Sequence, residues 1–201
     1  MLKITSKKIT QALESYQIHR QVRFAELFSN EDIKKLRPAA VIIPLLKVER
    51  QWNVLLTQRS QALLEHRGQV AFPGGAKESA DGNLQATALR EMKEEIGIDP
   101  KDVHVYGHLG DIPVITGYMV RLFIGQIPWP YKLTVNHSEV ESTFIMPLEW
   151  LINPGHRCTQ FRSYSGREIP TLFFEEYHGY QLWGASAEMM MVFLRALDII
   201  N

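Results

Sequence analysis

Three glutamates fall within residues 88–97, ALREMKEEIG, at positions 91, 94 and 95. On a helix, at about 100° per residue, they crowd within roughly a quarter-turn, opposite the apolar stripe of Leu89, Met92 and Ile96. Like charges at helical spacing cost a helix a few tenths of a kcal/mol per pair. The macrodipole adds to that cost near a helix C-terminus. Arg90 and Lys93 offset some of the charge but leave the clustering. A divalent cation resolves the conflict, because a few hard carboxylate oxygens, with waters and phosphates completing the shell, describe a Mg²⁺ site. A solvated acidic face is the plain alternative.

The surroundings favour the cation. Upstream lies FPGG, residues 72–75, whose backbone can approach a phosphate closely. From Gly75 the chain reads G-A-K-E-S-A-D, then eight residues, then R-E-M-K-E-E-I-G-I. This pattern resembles the Nudix box, G-x5-E-x7-R-E-U-x-E-E-x-G-U, with U a bulky aliphatic residue. Gly75, Arg90, Glu91, Met92, Glu94, Glu95, Gly97 and Ile98 match it. Asp81 stands in the place of the first glutamate, and the spacer to Arg90 is one residue longer. That glutamate usually anchors its loop to the motif arginine, so Asp81 could pair with Arg90. The resemblance implies an α/β fold, the α/β/α Nudix sandwich with a mixed sheet and a loop–helix–loop catalytic element.

Both departures also recur in the coenzyme A diphosphatases of that family. That branch carries an upstream signature close to L-L-T-x-R-[SA]-x3-R-x3-G-x3-F-P-G-G, and residues 55–75 here read LLTQRSQALLEHRGQVAFPGG. Leu64 occupies the place of the internal arginine, and Arg67 lies one turn further on. The resemblance continues weakly from Arg37 to Met190.

It implies hydrolysis of the diphosphate bond of coenzyme A or acyl-CoA, giving 3′,5′-ADP and (acyl-)4′-phosphopantetheine, with Mg²⁺ or Mn²⁺ as cofactor. Carried over by position, Glu91 and Glu95 are metal ligands, and Glu94 joins them or positions the water. Arg90 orients a glutamate, with Asp81 completing the pair. Glu139, in NHSEVES at 136–142, is the candidate general base, with Glu141 behind it. Arg59, Arg67, Gly74 and Gly75 face the substrate phosphates, while His66 and Lys77 read as surface charges. Two other readings stay open: a Nudix hydrolase of another nucleoside diphosphate derivative such as ADP-ribose, and a nucleotide-binding Nudix sensor without turnover. The three intact glutamates count against the sensor. The Ca²⁺-loop pattern D-x-D-x-D-G is absent.

The elements that must position these groups follow from patterning. Residues 5–17 and 30–36 read as short polar helices, an N-terminal helical appendage over 1–36 ahead of a Nudix domain over 37–201. From Ala39 the apolar runs AVIIPLLKV and WNVLLTQR read as buried strands. GQVAFPGG gives a short strand ending in a Pro-Gly-Gly turn, and 83–96 the acidic helix, closed by Gly97. Strands follow at 103–109, 119–127 and 142–147, with DIPVITGYM at 111–119 as a loop that either closes over the substrate or simply connects strands. PLEWLI suggests a short helix, TLFFEEY a strand, and 185–200 a closing amphipathic helix whose Met189–Met191 could line an acyl pocket or fill the core.

The 201 residues carry 22 Lys+Arg and 22 Asp+Glu, a neutral balance that argues against a nucleic-acid or anionic-membrane partner. The longest apolar run, AAVIIPLL at 39–46, is too short to span a bilayer. One cysteine, Cys158, excludes an intrachain disulfide and suits a reducing compartment. Neither a secretory core nor a C-terminal targeting signal is recognised, so a cytoplasmic protein with a small-molecule substrate is expected. The N-terminal helices could make a homodimer contact or cover the sheet.

Overall fold

The computed structural model describes residues 4–16, 27–62, 67–164 and 166–200. Leu64 and His66, both singled out above, lie outside the described residues. Helix α1 spans Ser6–Ser15 and α2 Asn30–Ile33, each shorter than the polar stretch that suggested it. Strands β1 (Arg37–Val48) and β2 (Gln51–Arg59) form a hairpin, followed by β3 (Val70–Ala71) and β4 (Gly74–Ala76). Helix α3 is Leu84–Ile96. Then come β5 (His104–Val114), β6 (Tyr118–Gln126), β7 (Val140–Pro147) and α4 (Leu148–Leu151). The chain closes with β8 (Arg157–Tyr164), β9 (Arg167–Tyr177), β10 (Tyr180–Trp183) and α5 (Gly184–Ala196).

Seven strands make one mixed sheet, in the order β3-β2-β1-β6-β5, with β4 beside β1 and β7 beside β2. Among the described strands, only β1 and β6 run parallel. The apolar runs of β1 and β2 reflect burial on both faces. Alternate residues divide between two cores: Ile43, Leu45, Val54 and Leu56 face α5, while Ala40, Ile42, Leu46 and Leu55 face α3. This is the α/β fold expected from the resemblance, a sheet between helices. In the N-terminal stretch, Ile4, Ile9 and Ala12 belong to the α5-side core, and the Trp52 indole Nε1–H donates to the Ile4 carbonyl at 2.8 Å. The methionines of α5 are buried core residues.

Three expectations change. The Gly-Gly stretch is a strand rather than a turn, because β4 pairs with β1 through Val41–Gly74 and Ala40–Gly75. A Cβ at Gly74 would lie 2.3 Å from the Ala40 carbonyl oxygen, so glycine is what permits this approach. The 111–119 loop is mostly the ends of β5 and β6, joined by a tight turn at 115–117. Finally, β8 and β10 flank β9 in a separate three-stranded sheet. The polar, exposed sequence of β8 lacks the alternation that reveals a strand.

Candidate active site

Helix α3 begins with an Asn83 side-chain cap on the Ala86 N–H and ends at Gly97, left-handed at φ 76°. Thr87, Ala88, Met92 and Ile96 are buried on its core side, which fixes the helix rotation and leaves Arg90, Glu91, Glu94 and Glu95 on adjoining flanks. Arg90 ties the preceding loop to the helix. Its Nε donates to Asp81 Oδ1 at 3.0 Å, and its Nη2 to Asp81 Oδ2 at 3.1 Å and to the Ala76 carbonyl at 3.2 Å. Asp81 is buried and also accepts from the Thr87 hydroxyl at 2.9 Å and the Glu78 N–H at 2.9 Å. The bidentate Arg90 pair, first of all, holds the Asp81 carboxyl well below the usual range. The shorter aspartate thus reaches the motif arginine across the longer spacer.

The glutamates divide. Arg90 Nη1 donates to Glu94 Oε2 at 2.8 Å, and Glu94 is half exposed. The carboxylates that come together are Glu91, Glu95 and Glu139, one ligand atom from each lying within 4.8 Å of the others. Glu139 reaches the cluster through the end of α3. The last carbonyls of that helix, on Glu95 and Ile96, accept the N–H groups of Asn136 at 2.9 Å and Thr134 at 3.0 Å. Backbone pairing therefore docks residues 134–139 against the helix terminus, satisfying carbonyls that have no partner within the helix. Asn136 Nδ2 then steadies Glu139 Oε1 at 3.0 Å.

The electrostatics follow from burial. Desolvation raises the Glu91 carboxyl despite Arg90 at 3.0 Å. Desolvation, then the charges of Glu91 and Glu139, push Glu95 up to about 8, against the lowering influence of Arg59 and the Gly74 N–H. Among the described residues, Glu95 Oε2 is buried without a hydrogen-bond partner. A buried acid with an orphan oxygen beside two other carboxylates is a donor set that fits a hard divalent cation.

Arg59 ends β2, and its Nε is likewise buried without a partner among the described residues. It lines a cavity of about 620 Å³ together with Gly74 and Gly75. Gly75 adjoins both that cavity and the carboxylates: a Cβ there would lie 2.4 Å from Glu91 Oε1. Arg67 is exposed in the turn before β3 and is outside the cavity wall. The sequence reading missed the far wall, where Arg162 of β8 and Trp183 of β10 face the same cavity. An isolated arginine on a polar strand carries no motif, and only the fold brings it there.

A family profile described as NUDIX domain matches residues 35–165. Two relatives, both named "Uncharacterized Nudix hydrolase NudL", come from Citrobacter koseri and Escherichia coli. The first is 39% identical over 158 residues, covering 79% of this chain and 81% of its own. The second is 38% identical over 160 residues, with the same coverage of 79% and 81%. Among solved structures, a MutT/nudix family protein from Enterococcus faecalis aligns with a TM-score of 0.53 at 15% identity, covering 98% of this chain and 76% of the other. The chain belongs to the Nudix hydrolase family. Among the described residues, no helix is long and apolar enough to cross a membrane.

Proposed function

We propose that the protein hydrolyses the diphosphate bond of coenzyme A or acyl-CoA, giving 3′,5′-ADP and (acyl-)4′-phosphopantetheine. Glu91 and Glu95 hold Mg²⁺ or Mn²⁺ in this reading. The cation, when bound, neutralises diphosphate oxygens and lowers the pKa of a water. Glu95 must give up its proton for this, so metal uptake is coupled to proton release. Water attacks one phosphorus, the new P–O bond replaces the bridging one, and Glu139, on a separate element, takes the proton. Glu94 acts through Arg90, whose contacts with Asp81 and Ala76 keep the glycine strand on the helix. Arg59 meets the diphosphate with charge-assisted hydrogen bonds from the Nε that lacks a partner among the described residues.

The observation that carries the reading is a juxtaposition. The segment resembling the coenzyme A branch, residues 55–75, contributes Arg59, Gly74 and Gly75 to the wall of a cavity of about 620 Å³. Glu91 of the carboxylate cluster lies directly behind Gly75. A second reading, hydrolysis of another nucleoside diphosphate derivative such as ADP-ribose, is favoured by Leu64 in the place of the branch arginine. Product analysis after incubation with coenzyme A or ADP-ribose, in Mg²⁺ or Mn²⁺, separates the two. Release of 3′,5′-ADP by the wild type and not by Glu95→Gln supports the first reading. Intact coenzyme A with cleaved ADP-ribose supports the second.

A further inference from the structure

The cavity beside Gly75 extends to a wall with chemistry of its own. Arg162, Trp183 and Ser186 line it along with Arg59 and Gly75, so one bound molecule can touch both sets. The Arg162 guanidinium carbon lies 4.6 Å from the Trp183 ring centroid and 5.9 Å from that of Phe173. Those two rings stack on each other, parallel within 5° and 5.4 Å apart, so Phe173 braces the Trp183 ring on which the guanidinium sits. Among the described residues Arg162 has no carboxylate partner and no side-chain hydrogen bond; the aromatic contacts are its only ones. Stacking fixes the plane of a guanidinium and leaves its N–H edge free, an arrangement suited to bidentate capture of a phosphate. Next to it, α5 starts at Gly184 with no side-chain cap from Trp183, and the first-turn residues Gly184, Ala185 and Ser186 line the same cavity. That helix end adds partial positive charge.

We propose that Arg162, seated on Trp183, is a specificity-determining residue that binds a second anionic group of the substrate, a phosphate monoester distinct from the diphosphate at the carboxylates. The assignment rests on the coenzyme A reading, in which that group is the ribose 3′-phosphate. The carboxylate cluster handles the diphosphate alone, so a receptor elsewhere in the cavity is what would distinguish coenzyme A from substrates without the monoester.

The test is kcat and KM for coenzyme A and for 3′-dephospho-coenzyme A, with Mg²⁺, in the wild type, Arg162→Gln and Arg162→Lys. Removing a charge-assisted bond should lower kcat/KM for coenzyme A by about 10- to 100-fold in the glutamine variant, chiefly through KM. The dephospho substrate should change less than about twofold, a contrast that a merely structural role for Arg162 would not produce, and lysine should restore part of the loss. Equal losses on both substrates, or none on either, overturn the Arg162 assignment while the coenzyme A reading stands. A wild type that cleaves ADP-ribose but neither coenzyme A form overturns both.

Discussion

Replacing Glu95 by glutamine should stabilise the metal-free protein at alkaline pH. Glu95 is 4% exposed, and burial, reinforced by Glu91 and Glu139, pushes its carboxyl from the ordinary 4.5 up to about 8. The folded protein therefore keeps this proton over a range in which the unfolded chain has lost it. The stability contributed by neutral Glu95 is complete below pH 4.5 and is lost as pH rises through about 8. At about 1.4 kcal/mol per pH unit the loss reaches a ceiling of about 5 kcal/mol. Relaxation and water entry around a charge in a cleft bring the expected value to about 2–3 kcal/mol. Glutamine has nearly the same volume and stays neutral, so Glu95→Gln should escape the loss. Urea unfolding in EDTA at about pH 5 and about pH 8.5 measures it, as the difference between variant and wild type at each pH. That difference should grow by about 2–3 kcal/mol in favour of the variant. Added Mn²⁺ at the higher pH should restore the wild type by about 2.7 kcal/mol at a hundredfold excess over Kd, and should do little for the variant. A difference that does not change with pH would refute the argument, since Glu95 would then ionise as easily folded as unfolded.

The Arg90 pair predicts the opposite pH dependence. Asp81→Asn should cost about 3 kcal/mol near neutrality, because it takes from a largely buried guanidinium the carboxylate that binds it bidentately. Asp81 has a depressed folded value, so its contribution is complete above the ordinary 3.8 and is lost as pH falls below it. The gap between variant and wild type in urea unfolding should accordingly close in acid. Gly75→Ala should preserve the fold and lose activity. Its Cβ would fall 2.4 Å from Glu91 Oε1, the end of a side chain that can move aside but not without leaving the cluster. A displacement of that size should lower kcat by about 100-fold, with a small change in the urea midpoint. Gly82→Ala is the control, since no atom lies within 4 Å of its Cβ position and activity should be retained.

The parts of the site that lie on one element were legible in the sequence. Helical spacing alone put Glu91, Glu94 and Glu95 on one side of α3, and the Gly97 boundary came from ordinary C-capping chemistry, while the Asn83 cap emerged only from the structure. Periodicity could not tell which glutamate would turn away. Glu94 and Glu95 are neighbours in sequence, yet one is half exposed on Arg90 and the other almost wholly buried. That difference depends on what packs over each, namely the β4 strand and residues 134–139. The central strands were visible because burial on both faces gives unbroken apolar runs. The C-terminal strand β8 was not, since exposed edge strands carry no such signature. Arg162 is the consequence: its position beside the cavity follows from strand pairing in a sheet whose first member is almost wholly exposed.

Three acids crowd together here because the backbone of each is placed by interactions that do not involve its carboxylate. Met92 and Ile96 in the core set the rotation of α3, and with it Glu91 and Glu95. Glu139 arrives by two backbone hydrogen bonds that the end of any helix needs satisfied, those from Thr134 and Asn136. Gly97 lets the chain leave α3 this way, since a Cβ there would lie 2.7 Å from that of Thr134. Repulsion among the carboxylates could be relieved only by loosening the core packing or the helix end. Protonation of Glu95 is the cheaper response, and burial first of all, with the charges of Glu91 and Glu139 behind it, favours it by raising that carboxyl to about 8. The same rigidity favours a cation, because a preformed cluster loses little freedom on binding. The site is thus held in readiness by the fold at the expense of stability in the metal-free protein.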